Sequence, residues 1–549
     1  MVNVVAKKKT LLRLAQWQPK DDAEFERTLE SAKCVPGAYD KATDELTLEV
    51  TPDRPDLVSV YGVARAVKGV LGTESGVPAH HFADSHAEYF AEADALAVRP
   101  VVAGAVVEGV SFDDDSIAEL FGRQEKLDFT LGRRRKRVSI GLYDFDKLEP
   151  PFHFRLLEAS FSYTPLKSSS PMTLKEILER HETGVKYGHL AGKGPKYPVL
   201  LDSAGEVLAL IPVVNNFENA VTVHTKRLFI DMTGTDGHAL NAAMNIMAAD
   251  FADAGAKVSR VKVHYPDGRT EFTPDARPKE MALPLAYANK MLGTTLTPQE
   301  VADALARQRI SASAHGDSVT ASIPAYRSDF LHPIDLVEEV AMGVGYNASE
   351  LSPIAPRVFT KGGISTQSER ENFARDFLAG AGFLELSTHV LSSEEKVRRG
   401  KSGEELVEIA NPLSSEYHVL RATLLPNLLE VLSQNTHVEY PQKIFEAGEV
   451  VVHNPKLPER MQTKVHLAAA SCHASANLSE AASVLSEFCK RLGKGVFFEK
   501  LDSPQFISGR SARVFVDAKP AGQMGEVHPQ VLTAFGIQVP CAVFEIELP

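Results

Sequence analysis

Apolar residues repeat at helical spacing in several parts of this chain. Four of them share one face of a helix predicted after position 59: Val60, Val63, Ala64 and Val67. Asp56 stands just upstream, where a carboxylate can cap the first turn of that helix. A longer helix is predicted from Gly237 to Ala254, and Gly255 ends it because glycine readily adopts a left-handed backbone. Thr297 and Glu300 have the spacing of a capping box that begins a further helix.

Other stretches are apolar over the length of a strand, and most of them lie between positions 96 and 265. The strands predicted there are Val98–Val107, Arg137–Leu142, Tyr197–Leu201, Val207–Val214 and Leu228–Met232. The turn-forming residues 202–205 predict a hairpin between the third and fourth of these strands. A helix is predicted at Asp115–Leu127. The polar segment Thr73–Ala95 has little apolar pattern and is expected to be a linker.

An acidic helix is predicted from Pro333 to about Ala341, since proline suits the first helical position. Three carboxylates fall on one face of it, at Asp335, Glu338 and Glu339, and Asp329 lies in the entering loop. Oxygen ligands of this kind suit Mg²⁺, which keeps several waters and takes only a few carboxylates. The alternative is a solvated helix face opposite the apolar residues Leu336, Val337 and Val340.

Composition excludes several classes of protein. A chain of 549 residues is expected to form about three to five domains. It has no apolar run long enough for a signal peptide or a membrane span, so we expect a cytoplasmic protein. The net charge of −13 argues against broad binding of nucleic acid, which leaves the basic run Arg133–Arg137 as a local candidate for phosphate contacts. A solvated loop explains that run equally well. The four cysteines show no metal-binding or disulfide pattern.

Three sequence stretches carry a family resemblance. They are TPDRPDL at 51–57, PAYRSDFLHPIDLVEEVAMGVGYN at 324–347 and NPLSSEYHVLRATLLPNLL at 411–429. In family order and over nearly the full length, the chain resembles the β subunits of phenylalanyl-tRNA synthetase of the archaeal and eukaryotic-cytosolic type. The resemblance implies an α+β multidomain fold: an N-terminal module at 1–85, a B3/B4-type tRNA-editing domain at 96–265, a helical B5-type domain at 273–350 and a class II synthetase catalytic-like antiparallel sheet domain at 355–549.

The same resemblance implies a function within a larger enzyme. An α subunit would bind ATP and phenylalanine and charge tRNA(Phe), and the two subunits would form an α2β2 heterotetramer, with no membrane or DNA role. The adenylation site is not expected in this chain, because the segments 442–451 and 522–536 lack the arginines with which class II synthetases hold ATP phosphates. This argues against a self-sufficient synthetase. A tRNA-binding scaffold without editing activity remains the alternative.

The resemblance also names candidate site residues. Editing would remove tyrosine wrongly attached to tRNA(Phe), with Asp231, Asp236 and Asn216 as candidate residues and water as the attacking group. The alternative for Asp236 is a helix cap. The metal would be Mg²⁺, shared with the α subunit and held by Asp329, Asp335, Glu338 and Glu339.

Overall fold

The computed structural model describes residues 2–348, 351 and 362–549, which fall into two compact units, Met1–Ala355 and Pro356–Pro549. In the described residues no helix is both long and apolar enough to cross a membrane. The first unit begins with a small three-stranded sheet and three helices. These elements are β1 Val2–Lys7, α1 Lys8–Ala15, α2 Asp22–Ser31, β2 Cys34–Asp40, β3 Glu45–Val50 and α3 Val60–Leu71, with the strands in the order β1-β3-β2.

Helix α3 forms as predicted, but its cap is a different residue. The Ser59 hydroxyl accepts the amide hydrogen of Gly62 at 3.0 Å. Asp56 is buried and instead receives two hydrogen bonds from Arg54, both of 2.8 Å. The predicted cap at Asp56 is therefore wrong, because the neighbouring guanidinium binds the carboxylate.

A ten-stranded sheet forms the centre of the first unit. Its strands and the short pair beside it are β4 Ala83–Ala91, β5 Val101–Glu108, β6 Val138–Asp144, β7 Phe152–Glu158, β8 Ser162–Tyr163, β9 Met172–Thr173, β10 Lys196–Leu201, β11 Val207–Leu210, β12 Val214–Asn215, β13 Arg227–Gly234, β14 Lys257–His264 and β15 Thr270–Thr273. The strand order is β12-β11-β10-β7-β4-β14-β5-β13-β6, with β15 on β14, while β8 pairs only with β9. Helices in this part are α4 Ala93–Leu96, α5 Asp114–Phe129, α6 Leu174–Arg180, α7 Glu182–Tyr187 and α8 Gly237–Asp253.

The predicted linker at Thr73–Ala95 is partly wrong, because it contains β4, a strand inside this sheet. Its alternate residues Ala87, Tyr89 and Ala91 are buried. Two of these three are alanines, so the segment buries a strand face with little apolar bulk. The predicted hairpin is confirmed by the antiparallel pairing of β10 with β11.

One hydrophobic core joins the N-terminal elements to the large sheet: residues of α1, α3, β5, β13 and α8 belong to a single buried cluster. A buried ion network crosses the same boundary. Asp250 on α8 is fully buried and contacts Arg65 of α3 at 2.5 Å and Arg123 of α5 at 3.0 Å. The Ser59 hydroxyl donates to the same carboxylate at 2.6 Å. The α3 region is therefore held to α8 by both packing and charge.

The last part of the first unit combines a three-stranded sheet with three helices. They are β16 Lys279–Pro284, α9 Leu285–Leu292, α10 Pro298–Arg307, β17 Ser311–His315, β18 Ser318–Ile323 and α11 Pro333–Val344, with the strands in the order β16-β18-β17. The capping box of Thr297 and Glu300 is confirmed at the start of α10. Helices α10 and α11 approach so closely at Gly343 that a Cβ there would lie 2.1 Å from the Ala304 carbonyl oxygen.

The second unit is built on a seven-stranded sheet in the order β19-β23-β24-β28-β27-β26-β25. Its elements are α12 Thr366–Gly380, β19 Leu384–Glu385, β20 Leu391–Ser392, α13 Glu394–Arg399, β21 Val407–Glu408, β22 Val419–Leu420, α14 Leu425–Gln434, β23 Gln442–His453, β24 Met461–Cys472, α15 Leu478–Arg491, β25 Val496–Lys500, β26 Phe506–Val516, β27 Lys519–Val527, α16 Pro529–Ala534 and β28 Cys541–Glu547. All neighbours are antiparallel except β19 and β23.

Candidate functional site

A cavity of about 520 Å³ opens at the large sheet of the first unit. One side of helix α5, strand β6 and the segment Ala209–Asn215 line it. Asp231 on β13 also lines the cavity, and its side chain is only 1% exposed. The cavity thus combines apolar walls with a buried carboxyl group, an arrangement typical of small-ligand sites.

Both residues directly opposite Asp231 are glycines. In register, Asp231 pairs with Gly104 on β5 and with Gly141 on β6, and the Tyr143 hydroxyl lies 2.3 Å from where a Cβ of residue 141 would be. The Tyr89 hydroxyl of β4 donates a hydrogen bond to Oδ1 at 2.8 Å. Burial raises the pKa of Asp231 from 3.8 to about 7, because the desolvation cost exceeds the effects of that hydrogen bond and of Arg99.

A second buried carboxyl group, Asp128 at the end of α5, also lines the cavity. Burial raises its pKa to about 7, although the Arg135 guanidinium lies 3.1 Å away and opposes that shift. Arg135 also donates to the carbonyl oxygens of Pro212 at 3.2 Å and Val213 at 2.9 Å, and its guanidinium covers the Tyr187 ring at 4.4 Å. This arginine therefore holds the cavity wall.

The predicted basic run divides into two groups of residues. Arg135 is turned inward as described, whereas Arg133, Arg134 and Lys136 are exposed. Arg134 lies 5.4 Å from the centre of the Phe129 ring, which is itself 60% exposed. The run can therefore offer fewer cations to phosphates than its sequence indicates.

The structure does not bring the three predicted editing residues together. Asp231 lines the cavity, but Asp236 caps α8, with its side chain accepting the Ala239 amide hydrogen at 3.1 Å. Asn216 is buried directly after β12, where it bridges to Pro165 and its amide group donates to the Val207 carbonyl oxygen at 2.8 Å. Asp236 thus has the alternative role of helix cap, and the Asn216 side chain is occupied by the backbone.

Sequence reasoning missed three residues that line the cavity, Asp128, Arg135 as a wall residue and Tyr143, and it also missed Tyr89, the hydrogen-bond donor to Asp231. Tyr89 was missed with its strand. The sequence did contain one indication of the cavity wall, a helical spacing of i, i+3, i+4 and i+7 that puts four residues on one face: Phe121, Gln124, Glu125 and Asp128. Nothing else in the sequence marks that face as the wall of a cavity.

Each of the four predicted metal carboxylates has a protein partner. Asp329 receives two hydrogen bonds from Arg327, of 2.9 and 2.7 Å, and the same guanidinium donates to Glu339 at 2.8 Å. Burial alone would raise the pKa of Asp329, but Arg327 outweighs it and lowers the pKa to about 2. Asp335 turns back to accept the amide hydrogens of Leu331 and His332, both at 2.8 Å.

Lys33 provides the positive charge next to the remaining carboxylates. Its Nζ lies 3.0 Å from Glu338, 3.7 Å from Glu339 and 3.6 Å from Asp53. Lys33 has a φ of 59°, a backbone conformation that usually favours glycine after a helix such as α2. A lysine is thus held in a glycine-type position with its ammonium group beside the acidic helix.

The fit of Mg²⁺ to these residues is mixed. Four carboxylates match its preference for oxygen, and Oε2 of the buried Glu339 has no hydrogen-bond partner among the described residues. Yet within the described parts of the chain no group of three or more His, Cys, Asp or Glu side chains is arranged to hold a metal ion. The expectation of an entirely solvated acidic face is wrong, because Glu339 is only 1% exposed. The four-carboxylate Mg²⁺ site is not preformed and stays a prediction.

In the second unit, neighbouring protein groups bind the guanidinium of Arg421, which lies in the segment 411–429. Arg421 is 2% exposed and contacts Glu446 at 2.9 Å. It also donates to the Thr388 hydroxyl at 2.7 Å and to the Glu449 carbonyl oxygen at 2.8 Å. A guanidinium with these partners is not available to a phosphate group.

Comparison with known proteins gives consistent matches along the chain. Residues 351–548 match the family described as the phenylalanyl-tRNA synthetase beta chain CLM domain, and residues 281–346 match the tRNA synthetase B5 domain. The chain is 37% identical over 510 residues to the phenylalanine–tRNA ligase β subunit of Archaeoglobus fulgidus, which covers 92% of this chain and 91% of that protein. It is 38% identical over 500 residues to the β subunit of Pyrococcus abyssi, with coverages of 90% and 89%.

A solved structure matches the first part of the chain. It is an N-terminal fragment of the phenylalanyl-tRNA synthetase β subunit from Pyrococcus horikoshii, with 35% sequence identity and a TM-score of 0.61. The match covers 63% of this chain and 100% of the fragment.

Proposed function

This chain belongs to the family of phenylalanine–tRNA ligase β subunits, and from that membership we propose that it supports an α subunit that charges tRNA(Phe), while its own cavity hydrolyses mischarged Tyr-tRNA(Phe). The α subunit binds ATP and phenylalanine in this proposal. The engaged state of Arg421 supports this division of labour, since Glu446 and Thr388 bind its guanidinium and it is not available to a phosphate group.

The observation that carries the editing proposal is the buried carboxyl group of Asp231 in a cavity of about 520 Å³. A pocket shaped for phenylalanine rejects an added hydroxyl group only weakly, so a second site must remove tyrosine. A carboxylate in an apolar cavity can accept the hydrogen bond of a tyrosine hydroxyl, a group that phenylalanine lacks. When phenylalanine enters, the carboxylate keeps only the Tyr89 hydrogen bond and this additional hydrogen bond is not made, which costs binding free energy.

The hydrolysis step is attack by water on the ester bond between tyrosine and the tRNA ribose. The Thr183 hydroxyl lines the cavity and lies 2.8 Å from Nδ1 of His181. That imidazole also accepts the Thr183 amide hydrogen, and its Nε2 donates to the Leu166 carbonyl oxygen at 3.0 Å. The histidine is thus fully used as a cap of α7, so we assign it no role as a base.

The editing test compares Tyr-tRNA and Phe-tRNA deacylation by the α/β complex. Asp231→Asn is expected to reduce the preference for Tyr-tRNA while leaving tRNA binding unchanged, because an amide oxygen is a weaker hydrogen-bond acceptor than a carboxylate. The matched control is Asp236→Asn, because asparagine also caps a helix and Asp236 does not line the cavity. If the parent complex does not clear Tyr-tRNA, the chain is a tRNA-binding scaffold and the proposal fails.

The proposed assembly is an α2β2 heterotetramer. Light scattering of the chain mixed with its α subunit tests this stoichiometry. A chain that stays monomeric in the presence of α would contradict it.

Mg²⁺ shared with the α subunit belongs to the same proposal, with Asp329, Asp335, Glu338 and Glu339 as its holders in this chain. Binding would require Glu338 to exchange the Lys33 ammonium group for the metal. Metal analysis of the complex is the test: Glu338→Gln is expected to lower the Mg²⁺ content, and Glu280→Gln, at an exposed position on β16, serves as the control. Equal metal content in both variants would reject the site.

A further inference from the structure

Tyr143 on β6 is a buried cavity residue with an unused hydroxyl group. Its side chain lines the same cavity as Asp231. The hydroxyl has no hydrogen-bond partner in the part of the chain that the structure describes. Buried polar groups are nearly always hydrogen-bonded, since an unpaired group costs about 1–3 kcal/mol. A tyrosine that keeps its hydroxyl under these conditions therefore calls for an explanation.

The register of β6 and β13 brings this hydroxyl close to Asp231. Tyr143 is opposite Phe229 and Gly141 is opposite Asp231, so all four residues lie on one face of the sheet. The Tyr143 hydroxyl oxygen lies only 2.3 Å from where a Cβ of residue 141 would be. Opposite Cβ atoms in antiparallel strands are roughly 4.5–5.5 Å apart. The hydroxyl thus occupies the side-chain position that faces Asp231, and it can do so because residue 141 is glycine.

The two groups are chemically complementary to a third hydroxyl. Asp231 already has one partner, the Tyr89 hydroxyl at Oδ1. A phenol entering between Tyr143 and Asp231 can donate its hydrogen to the carboxylate and accept a hydrogen from Tyr143. The Tyr143 hydroxyl lies against Gly141 in this structure. The Tyr143 side chain must therefore move toward the cavity for its hydroxyl to reach the bound phenol. That movement breaks no hydrogen bond among the described residues, because the hydroxyl makes none.

We infer that Tyr143 is a second specificity residue, which donates a hydrogen bond to the hydroxyl oxygen of the substrate tyrosine while Asp231 accepts the hydroxyl hydrogen. The inference rests on the proposed editing function. It adds Tyr143 as a hydrogen-bond donor to Asp231 as the acceptor, so that the substrate hydroxyl both donates and accepts a hydrogen bond in the cavity. Phenylalanine satisfies neither group.

The test is Tyr143→Phe in the α/β complex. The variant is expected to lose about 3- to 10-fold in kcat/KM for Tyr-tRNA, the worth of one neutral hydrogen bond, with no loss for the slow hydrolysis of Phe-tRNA. Binding of a non-hydrolysable tyrosyl-adenosine amide is expected to weaken by the same factor, and binding of its phenylalanyl counterpart is expected to stay constant.

The matched control is Tyr326→Phe, because the Tyr326 hydroxyl is also buried without a partner in the described residues but does not line this cavity. Both variants are expected to fold at least as stably as the parent, since each loses an unpaired polar group. Parent activity with unchanged selectivity in Tyr143→Phe overturns this inference alone. A parent that does not clear Tyr-tRNA overturns the editing function and this inference together.

Discussion

Replacing Asp231 by asparagine is expected to stabilise the protein, and more strongly at high pH than at low pH. The folded-state pKa of Asp231 is about 7, above the value of 3.8 for an unperturbed aspartate. Between these two values the folded state holds a proton that the unfolded state has released. Stability therefore falls as pH rises through this interval, and the loss is complete above it. Asparagine cannot ionise, and its side-chain oxygen can still accept the Tyr89 hydrogen bond.

The magnitude follows from the two pKa values. At 1.36 kcal/mol per pKa unit, the raised pKa of Asp231 lowers the free energy of unfolding by about 1.5 kcal/mol at pH 5 and by about 4 kcal/mol at pH 8. Asp231→Asn should therefore gain roughly 2–3 kcal/mol more at pH 8 than at pH 5. Asp128 has a pKa raised in the same direction. Its contribution cancels when variant and parent are compared at the same pH.

The chain contains a natural reporter for this measurement. Its single tryptophan, Trp17, is 7% exposed and stacks on Phe25 at 5.4 Å. It belongs to the same buried cluster as Ile230 and Met232, which flank Asp231. Urea unfolding followed by Trp17 fluorescence at the two pH values therefore reports on the core that packs against the strand carrying Asp231.

Asp236→Asn is the control for this experiment, since it makes the same chemical change at the cap of α8. Its effect should be small and equal at both pH values. If Asp231→Asn shifts stability equally at pH 5 and pH 8, the carboxyl group does not carry a raised pKa and the reasoning is refuted. Asp231→Asn is thus expected to gain stability and to lose selectivity for Tyr-tRNA. Such a trade-off between stability and activity is common at functional sites.

Three further predictions concern packing and charge. Gly343→Ala is expected to cost about 1–3 kcal/mol, measured by urea midpoint, because the new Cβ would meet a backbone carbonyl of α10 at 2.1 Å; an unchanged midpoint would mean that the helices separate freely. Arg327→Met is expected to lower the free energy of unfolding by about 3–5 kcal/mol, because it removes the guanidinium that contacts the largely buried carboxylates of Asp329 and Glu339. Thermal unfolding measures this, and a loss below about 1 kcal/mol would contradict the importance of these ion pairs. Alanine at both Arg133 and Arg134 is expected to reduce the salt dependence of tRNA binding by roughly 1–2 ion equivalents. Arg135→Ala should instead mainly impair Tyr-tRNA clearance. An equal change in salt dependence for the two variants would reject this distinction.

Features set by neighbouring residues could be predicted from the sequence. The capping box of Thr297 and Glu300 is an example, since both hydrogen-bond partners lie within one turn. Helix α8 and the hairpin of β10 and β11 are others. Asp231 was selected as a candidate because it lies in a strand next to a polar turn, and its role stays a prediction. In each case the residues that cause the feature are close together in the sequence, so the sequence alone is enough to predict it.

Features set by distant residues could not be predicted in this way. The burial of Tyr89 depends on strands that follow it much later in the chain, and its hydroxyl contacts a residue 142 positions away. Glu339 resembles a solvent-facing residue until Arg327 and Lys33 are brought against it. Asp128 likewise reads as an ordinary surface carboxylate of a helix. The role of such residues follows from tertiary packing, which overrides local pattern.

The buried network around Asp250 constrains how the protein can be made. Ser59 and Asp250 are 191 residues apart in the chain, and Arg65 is 185 residues from Asp250. At a synthesis rate of about 5–20 residues per second, α3 leaves the ribosome roughly 10–40 s before its partner on α8 exists. During that time α3 can pack only against the elements that precede it in the chain, and the Arg65 guanidinium has no counter-charge from α8. The N-terminal segment is thus expected to depend on chaperones during translation, and a version of the large sheet excised at residue 96 would lack the side chains that neutralise Asp250 from α3.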